Sequence, residues 1–180
     1  MAGRITKADA PLKPDPKFGD LVLAGLGFAS KTFGFRKEPY ATSQKLSTLA
    51  ALTRGAFQAN YEGIFNHVIS NYDIIVNAKA EVPTLNNFFG YGNTSVYDKS
   101  KKLYYYRSRF KYATGDLLFR RRYNDIFQLS LGPTYYRYWN DYDNNSKRIL
   151  ANPALVGMDS ASLYSVKQYA GLKAKFDINY

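Results

Sequence analysis

The chain has 180 residues, no cysteine and a single histidine, His67. Without thiols it has no disulfide framework, no thiolate zinc site and no cysteine nucleophile, and its redox compartment stays open. Catalytic metal sites and Ser-His-Asp systems both need imidazole, so such chemistry would have to be built around His67 or from carboxylates alone. Long apolar runs are missing as well. No segment reaches the roughly 20 apolar residues of a membrane helix, which excludes a helical membrane protein. The opening stretch MAGRITKADAPLKPDPKFGD carries charges and three prolines, Pro11, Pro14 and Pro16, but no apolar core of about 7 to 15 residues. Residues 1–18 therefore read as a polar tail or linker, and residues 19–180 as one domain. For an outer-membrane protein, the lack of a signal peptide implies that the chain is not the whole precursor. Acidic residues are scarce too, with 14 against 25 Lys and Arg, for a net charge of +11.

Aromatics are abundant. Seventeen tyrosines, twelve phenylalanines and one tryptophan make up 17% of a chain whose mean hydropathy is low. Two settings fit that combination: a transmembrane β-barrel with aromatic girdles, or a nucleic-acid binder whose rings stack on bases beside cations.

The dominant period from residue 57 onward is two, which places alternate residues on opposite faces of a strand. Phe57, Tyr61 and Phe65 share one parity against Gln58, Asn60 and Glu62, interrupted by Ile64. Ile74, Val76, Ala78 and Val82 oppose Asp73, Asn77, Lys79 and Glu81, interrupted by Ile75. The pattern returns at Tyr104, Tyr106, Phe110 and Tyr112 against Arg107, Arg109 and Lys111, at Phe127, Leu129 and Leu131, and at Leu172, Phe176, Ile178 and Tyr180 against Lys173 and Lys175. With the glycine-rich stretch 21–28 and the stretch 44–52, this makes about seven strands, most of them long enough for the 9 to 11 residues of a bilayer crossing. Thr53–Gly55 and Ile69–Asn71 read as tight turns and 83–102 and 140–166 as long polar loops, although Thr53–Gly55 falls on the long-loop side. Pro133 points to a bulge or strand margin.

The expected fold is therefore all-β, an antiparallel transmembrane barrel. Lipid-facing positions are Phe57, Tyr61, Phe65, Ile74, Val76, Phe110, Leu129, Phe176 and Ile178. Lumen-facing ones are Glu62, Asp73, Lys79, Arg107, Arg109 and Lys173. Aromatics near strand ends, namely Phe88, Phe89, Tyr91, Tyr135, Tyr138 and Trp139, suit a girdle at the water-lipid boundary. His67 falls near a strand end, in a girdle or packing role.

Four stretches, LGFASKTFGFRKEPYA (26–41), FQANYEGIF (57–65), NNFFGYGN (86–93) and LSLGPTYYRYW (129–139), carry a resemblance. Over about residues 18–180 the chain resembles the surface-antigen barrel domains of the outer-membrane assembly-protein superfamily of the BamA and TamA type. The resemblance implies a sixteen-stranded barrel in the outer membrane of a Gram-negative bacterium, of which this chain would be a part. It also implies the bilayer, assembly machinery or client proteins as partners. Departures from the family bear on translocation and insertion. The family's Arg-Gly-Phe/Tyr loop motif has no match, since Arg54-Gly55 is followed by Ala56, and no POTRA-like repeats precede the barrel stretch. In some members a calcineurin-like metallophosphoesterase domain precedes the barrel. Such a two-metal site needs several histidines, so that domain would lie outside this chain; no enzyme activity, cofactor or metal is expected here.

Two other readings compete. KKLYYYRSRFKY (101–112) and Arg120-Arg121-Arg122 fit a small barrel that binds single-stranded nucleic acid, but there cations and rings alternate onto opposite faces, so no nucleic acid is expected. A lipocalin-like barrel would invert the faces, apolar inside and polar outside. Gly25-Leu26-Gly27 lacks the βαβ context of a dinucleotide loop.

Overall fold

The structure, a computed structural model, describes residues 22–35, 37–90, 97–123 and 126–178. The expected tail 1–18 and the aromatics Tyr91 and Tyr180 lie outside the described residues. The described residues form seven strands: β1 (Leu23–Gly34), β2 (Lys37–Ala51), β3 (Ala56–Ile69), β4 (Tyr72–Asn87), β5 (Arg107–Tyr123), β6 (Phe127–Trp139) and β7 (Lys167–Ile178). They form one antiparallel sheet in which each strand pairs with the next in sequence, so the protein is all-β with few helical residues. The sheet is open, with β1 and β7 as its edges.

The seven expected strands all occur, with one shifted. Leu103–Tyr106 is a 3-10 turn, and β5 runs from Arg107 to Tyr123, taking in the Arg120–Arg122 run. A meander puts alternate connections at opposite ends. The breaks between β1 and β2, β3 and β4, and β5 and β6 share one end; the excursions 88–106 and 140–166 share the other, together with the Leu52–Arg54 turn, where Gly55 takes a left-handed φ of 58°.

Register fixes two faces. Ile74, Phe119 and Leu131 follow one another across β4, β5 and β6 on one, with Val76 beside Leu117; Asp73, Arg120 and Ser130 do so on the other. Burial runs opposite to a soluble sheet. Along β6, Leu129, Leu131, Pro133 and Tyr135 are exposed, while Ser130 and Gly132 are buried and Thr134 and Tyr136 partly so. Among the described residues only five hydrophobic side chains are buried, against thirty-one large exposed ones. A soluble core has the reverse balance.

The two isoleucines that interrupt the polar parity meet. Ile64 pairs with Ile75, and Ile75 with Leu118, an apolar row across the polar face; Leu118 is 2% exposed. Gly132 lies beside that row. A Cβ there would overlap the Leu117 carbonyl oxygen and stand 2.9 Å from its carbon and 3.0 Å from the Leu118 Cα. Backbone cannot give way as a side chain can, so Gly132→Val is expected to destabilise the fold by about 1–3 kcal/mol, the usual range for overpacking. A lowered urea midpoint with Trp139 as fluorescence reporter checks this, and Gly171→Val, whose Cβ has only Thr134 Cγ2 at 3.6 Å, serves as the control.

Pro133 sits inside β6 and not at a margin. It pairs with Leu172 of β7, while on its other side the β5 ladder skips Leu117 and Leu118. Proline has no N–H to donate, and the fold accommodates it by omitting that rung.

A small core closes the long-loop end. The excursion from Asn140 to Val166 folds into two short helices, α1 (Tyr142–Asn145) and α2 (Ser160–Tyr164), and two 3-10 turns. Its Ile149, Leu150 and Leu163 bury with Tyr106, flanked by Phe88 and Met158.

Candidate functional site

Chemistry-bearing side chains concentrate on the polar face in three zones. At the short-turn end, Asp73 is 2% exposed and fully engaged. Its Oδ1 accepts the His67 backbone N–H at 2.9 Å, and its Oδ2 accepts Arg120 Nε at 3.0 Å and Arg122 Nη2 at 3.1 Å. Asn66 Oδ1 accepts from both guanidiniums, at 3.1 and 2.8 Å, and its Nδ2 donates to the Tyr40 carbonyl at 2.8 Å. The β3 irregularity between Phe65 and Ile69, with His67 at φ 52°, turns Asn66 into this network. Asp73 and Asn66 together thus tie β2, β3, β4 and β5.

Midway along the sheet, Asp116 accepts Thr134 Oγ1 at 2.6 Å and Lys173 Nζ at 2.7 Å, and Lys79 pairs with Glu81 at 2.8 Å. Towards the long loops the face becomes aromatic. Phe110 lies 5.0 Å from Tyr138, and Tyr112 stacks on Tyr136 at 6.0 Å and 11°.

Of the residues expected to share the apolar face, Phe57, Tyr61, Phe65, Ile74, Val76, Leu129, Phe176 and Ile178 do so. Gly63 lets that face close: a Cβ there would meet the Tyr61 hydroxyl at 2.8 Å and the Phe65 ring at 3.0 Å. Phe110 is a correction: β5 keeps strict alternation from Phe119 back to Arg107, which puts Phe110 on the polar face with Tyr112. Glu62, Asp73, Lys79 and Lys173 lie on the polar face, as expected. Arg107 and Arg109 do not. The same alternation sets them on the parity of Leu117, at the long-loop rim. Of the girdle set, Tyr135 and Trp139 are on the apolar face, Tyr138 is on the polar face, and Phe88 packs on the loop core. Phe89 lies 5.1 Å from Tyr106.

No family model matches the chain, no curated protein matches it, and no solved structure matches it.

Several organising residues have no motif around them in the sequence. Beyond the end of β6, Asn145 takes over its ladder: its Oδ1 accepts the Arg109 N–H at 2.8 Å and its Nδ2 donates to the Arg109 carbonyl at 2.7 Å. Arg148, 3% exposed, donates to the carbonyls of Arg107 at 2.6 Å and Asn144 at 3.1 Å, and lies 4.1 Å from the Tyr104 ring centroid. Burial pulls its guanidinium below the usual range, and the neighbouring Tyr104 works the other way. Burial pushes the Tyr164 hydroxyl up, and that hydroxyl donates to the Leu150 carbonyl at 2.7 Å. These groups order the loop end and form no acid-base pair. Among the described residues, no three His, Asp or Glu side chains converge as a metal site would require, and no helix is long and apolar enough to cross a membrane.

Proposed function

We propose that this chain forms part of the wall of an outer-membrane β-barrel, with its apolar face to lipid and its polar face to a water-filled lumen. The observation that carries the reading is a charge-free band. On the apolar face of β5 the uncharged interval runs from Arg121 to Lys111, with Phe119, Leu117, Gly115 and Ala113 between them and Arg109 and Arg107 beyond Lys111 at the rim. The ten steps from Lys111 to Arg121, at about 3.4 Å each, give about 34 Å along the strand. At the roughly 35–45° tilt of membrane barrels that becomes about 24–28 Å, close to the apolar band of about 25 Å. The band continues through Phe57 to Phe65 on β3, Tyr72 to Val82 on β4 and Ala170 to Ile178 on β7. Among the described residues only Arg137 comes one row closer, and it lies 5.3 Å from the Trp139 ring centroid at the rim.

Both edge strands are exposed along nearly their whole length. Free apolar edges invite pairing, and closure removes them. In a seven-strand meander β1 and β7 run in the same direction, so an all-antiparallel barrel needs an odd number of added strands. Completing a sixteen-stranded barrel takes nine. The role is structural, or that of a translocation and insertion module for client proteins, with no chemistry of its own.

Burial along β6 counts against a lipocalin-like barrel, whose apolar parity would be the buried one. A phosphate-binding patch is disfavoured because Arg120 and Arg122 are committed to Asp73 and Asn66, and Arg121 points the other way, 5.0 Å from the Tyr123 ring centroid. The test is extraction. The chain is expected to need detergent and to keep its strand signal there; a monodisperse monomer recovered without detergent would overturn the proposal.

A further inference from the structure

We propose that the cavity beneath the Asn140–Val166 excursion, with the line of rings leading to it, binds a neutral sugar. The cavity measures about 360 Å³. That is near the lower end of the roughly 300–1,000 Å³ typical of small-molecule sites. Phe110, Tyr136 and Tyr138 of the polar face form its floor, and Leu150, Met158 and Leu163 of the excursion form its roof. Asn86 and Ser108, paired on the polar face, supply polar groups at the rim, and no charged residue lines it among the described residues.

The rings continue out of the cavity. Tyr138 contacts Phe110 at 5.0 Å, Phe110 contacts Tyr112 at 6.2 Å, Tyr112 stacks on Tyr136, and Tyr136 contacts Tyr169 at 6.3 Å. All five lie on the polar face of β5, β6 and β7. A lipid boundary does not account for them, because they point away from the apolar face.

Ligand chemistry follows from what surrounds the rings. A planar π face is electron-rich and attracts the weakly positive C–H face of a pyranose ring. The Asn86 carboxamide at the rim can both donate to and accept from its hydroxyls. An acyl chain would make no use of the Asn86 carboxamide or the Ser108 hydroxyl, whereas sugar hydroxyls pair with both. An anionic polymer would need a run of free cations along the track, but Lys79 is paired with Glu81 and Lys173 with Asp116, which leaves the single Lys167 opposite Tyr138 among the described residues. A charged sugar would enter a cavity that offers no counter-charge. This inference rests on the polar face and its cover, and it does not depend on what the opposite face touches.

The test uses the full chain folded in lauryldimethylamine oxide micelles, a detergent without a sugar headgroup, with maltotriose as probe and saturation-transfer NMR as readout. Saturable transfer is expected, unchanged between about 50 and about 500 mM salt, since no counterions are released. Phe110→Leu and Tyr136→Leu, which remove the flat ring but keep apolar bulk, are expected to weaken binding about tenfold. Tyr135→Leu, the neighbour of Tyr136 on the opposite face, is expected to leave it unchanged. The proposal is overturned if the folded wild-type chain shows no saturable transfer, or if Tyr135→Leu weakens binding as much as Tyr136→Leu. It is equally overturned if decanoate displaces maltotriose as an acyl ligand would, or if a thymidylate oligomer binds more tightly in a salt-dependent way.

Discussion

Val76→Arg is expected to block folding into lipid vesicles, while Asn77→Arg, one residue along, folds like the parent chain. Val76 pairs with Leu117 on β5, one residue from the midpoint of the interval between Arg121 and Lys111. An arginine there would stand near the middle of the apolar band, where a charge costs about 2–4 kcal/mol on the lipid face of a barrel. Snorkelling offers little relief, because both rims are about equally distant. Asn77 lies on the other face between Glu62 of β3 and Asp116 of β5, so a new cation there meets carboxylates and water. The measurement is the fraction of chain reaching the heat-modifiable folded form after dilution from urea into dilauroylphosphatidylcholine vesicles. Equal folding of the two variants would show that the faces are not in contact with different media.

Asp73→Ala is expected to cost on the order of 3 kcal/mol, the loss typical when one partner of a buried ion pair is removed. The reason is what it leaves behind. Arg120 and Arg122 would share one region with no counter-charge, and the His67 N–H would lose its acceptor. Partial exposure of the two guanidiniums keeps the figure at the lower end of that range. Asp73→Asn keeps the shape and some acceptor capacity, so its loss is expected to be smaller; Asp177→Ala, whose partner Lys175 is well exposed, serves as the surface control. Urea unfolding in micelles, followed by Trp139 fluorescence and by amide exchange at the β3–β4 turn, measures all three. An Asp73→Ala variant as stable as the Asp177→Ala control would remove the network from any role in holding the sheet.

The two predictions draw on different kinds of information. The apolar parity around Val76 is visible in the chain because strand alternation is local, and a two-residue period marks β3, β4, β6 and β7 wherever one parity is aliphatic. The Asp73 network has no such trace. Asn66, Asp73, Arg120 and Arg122 are separated by up to 56 positions, and only pairing between three strands makes them neighbours. The failures at Phe110, Arg107 and Arg109 share one cause. Tyrosine suits both lipid boundary and water, so in the aromatic stretch of β5 the two parities look alike. Only the register, anchored by Leu117 and Phe119 further along the strand, shows which is which.

The absence of thiols, the single imidazole, the excess of aromatics and the alternation of β3, β4, β6 and β7 are properties of the chain alone, because composition and alternation need no partner. Which face is buried, which isoleucines meet, how Pro133 is accommodated and where the rings line a cavity are settled only when the strands pair. Cross-strand neighbours are chosen by register, and register is a property of the whole sheet.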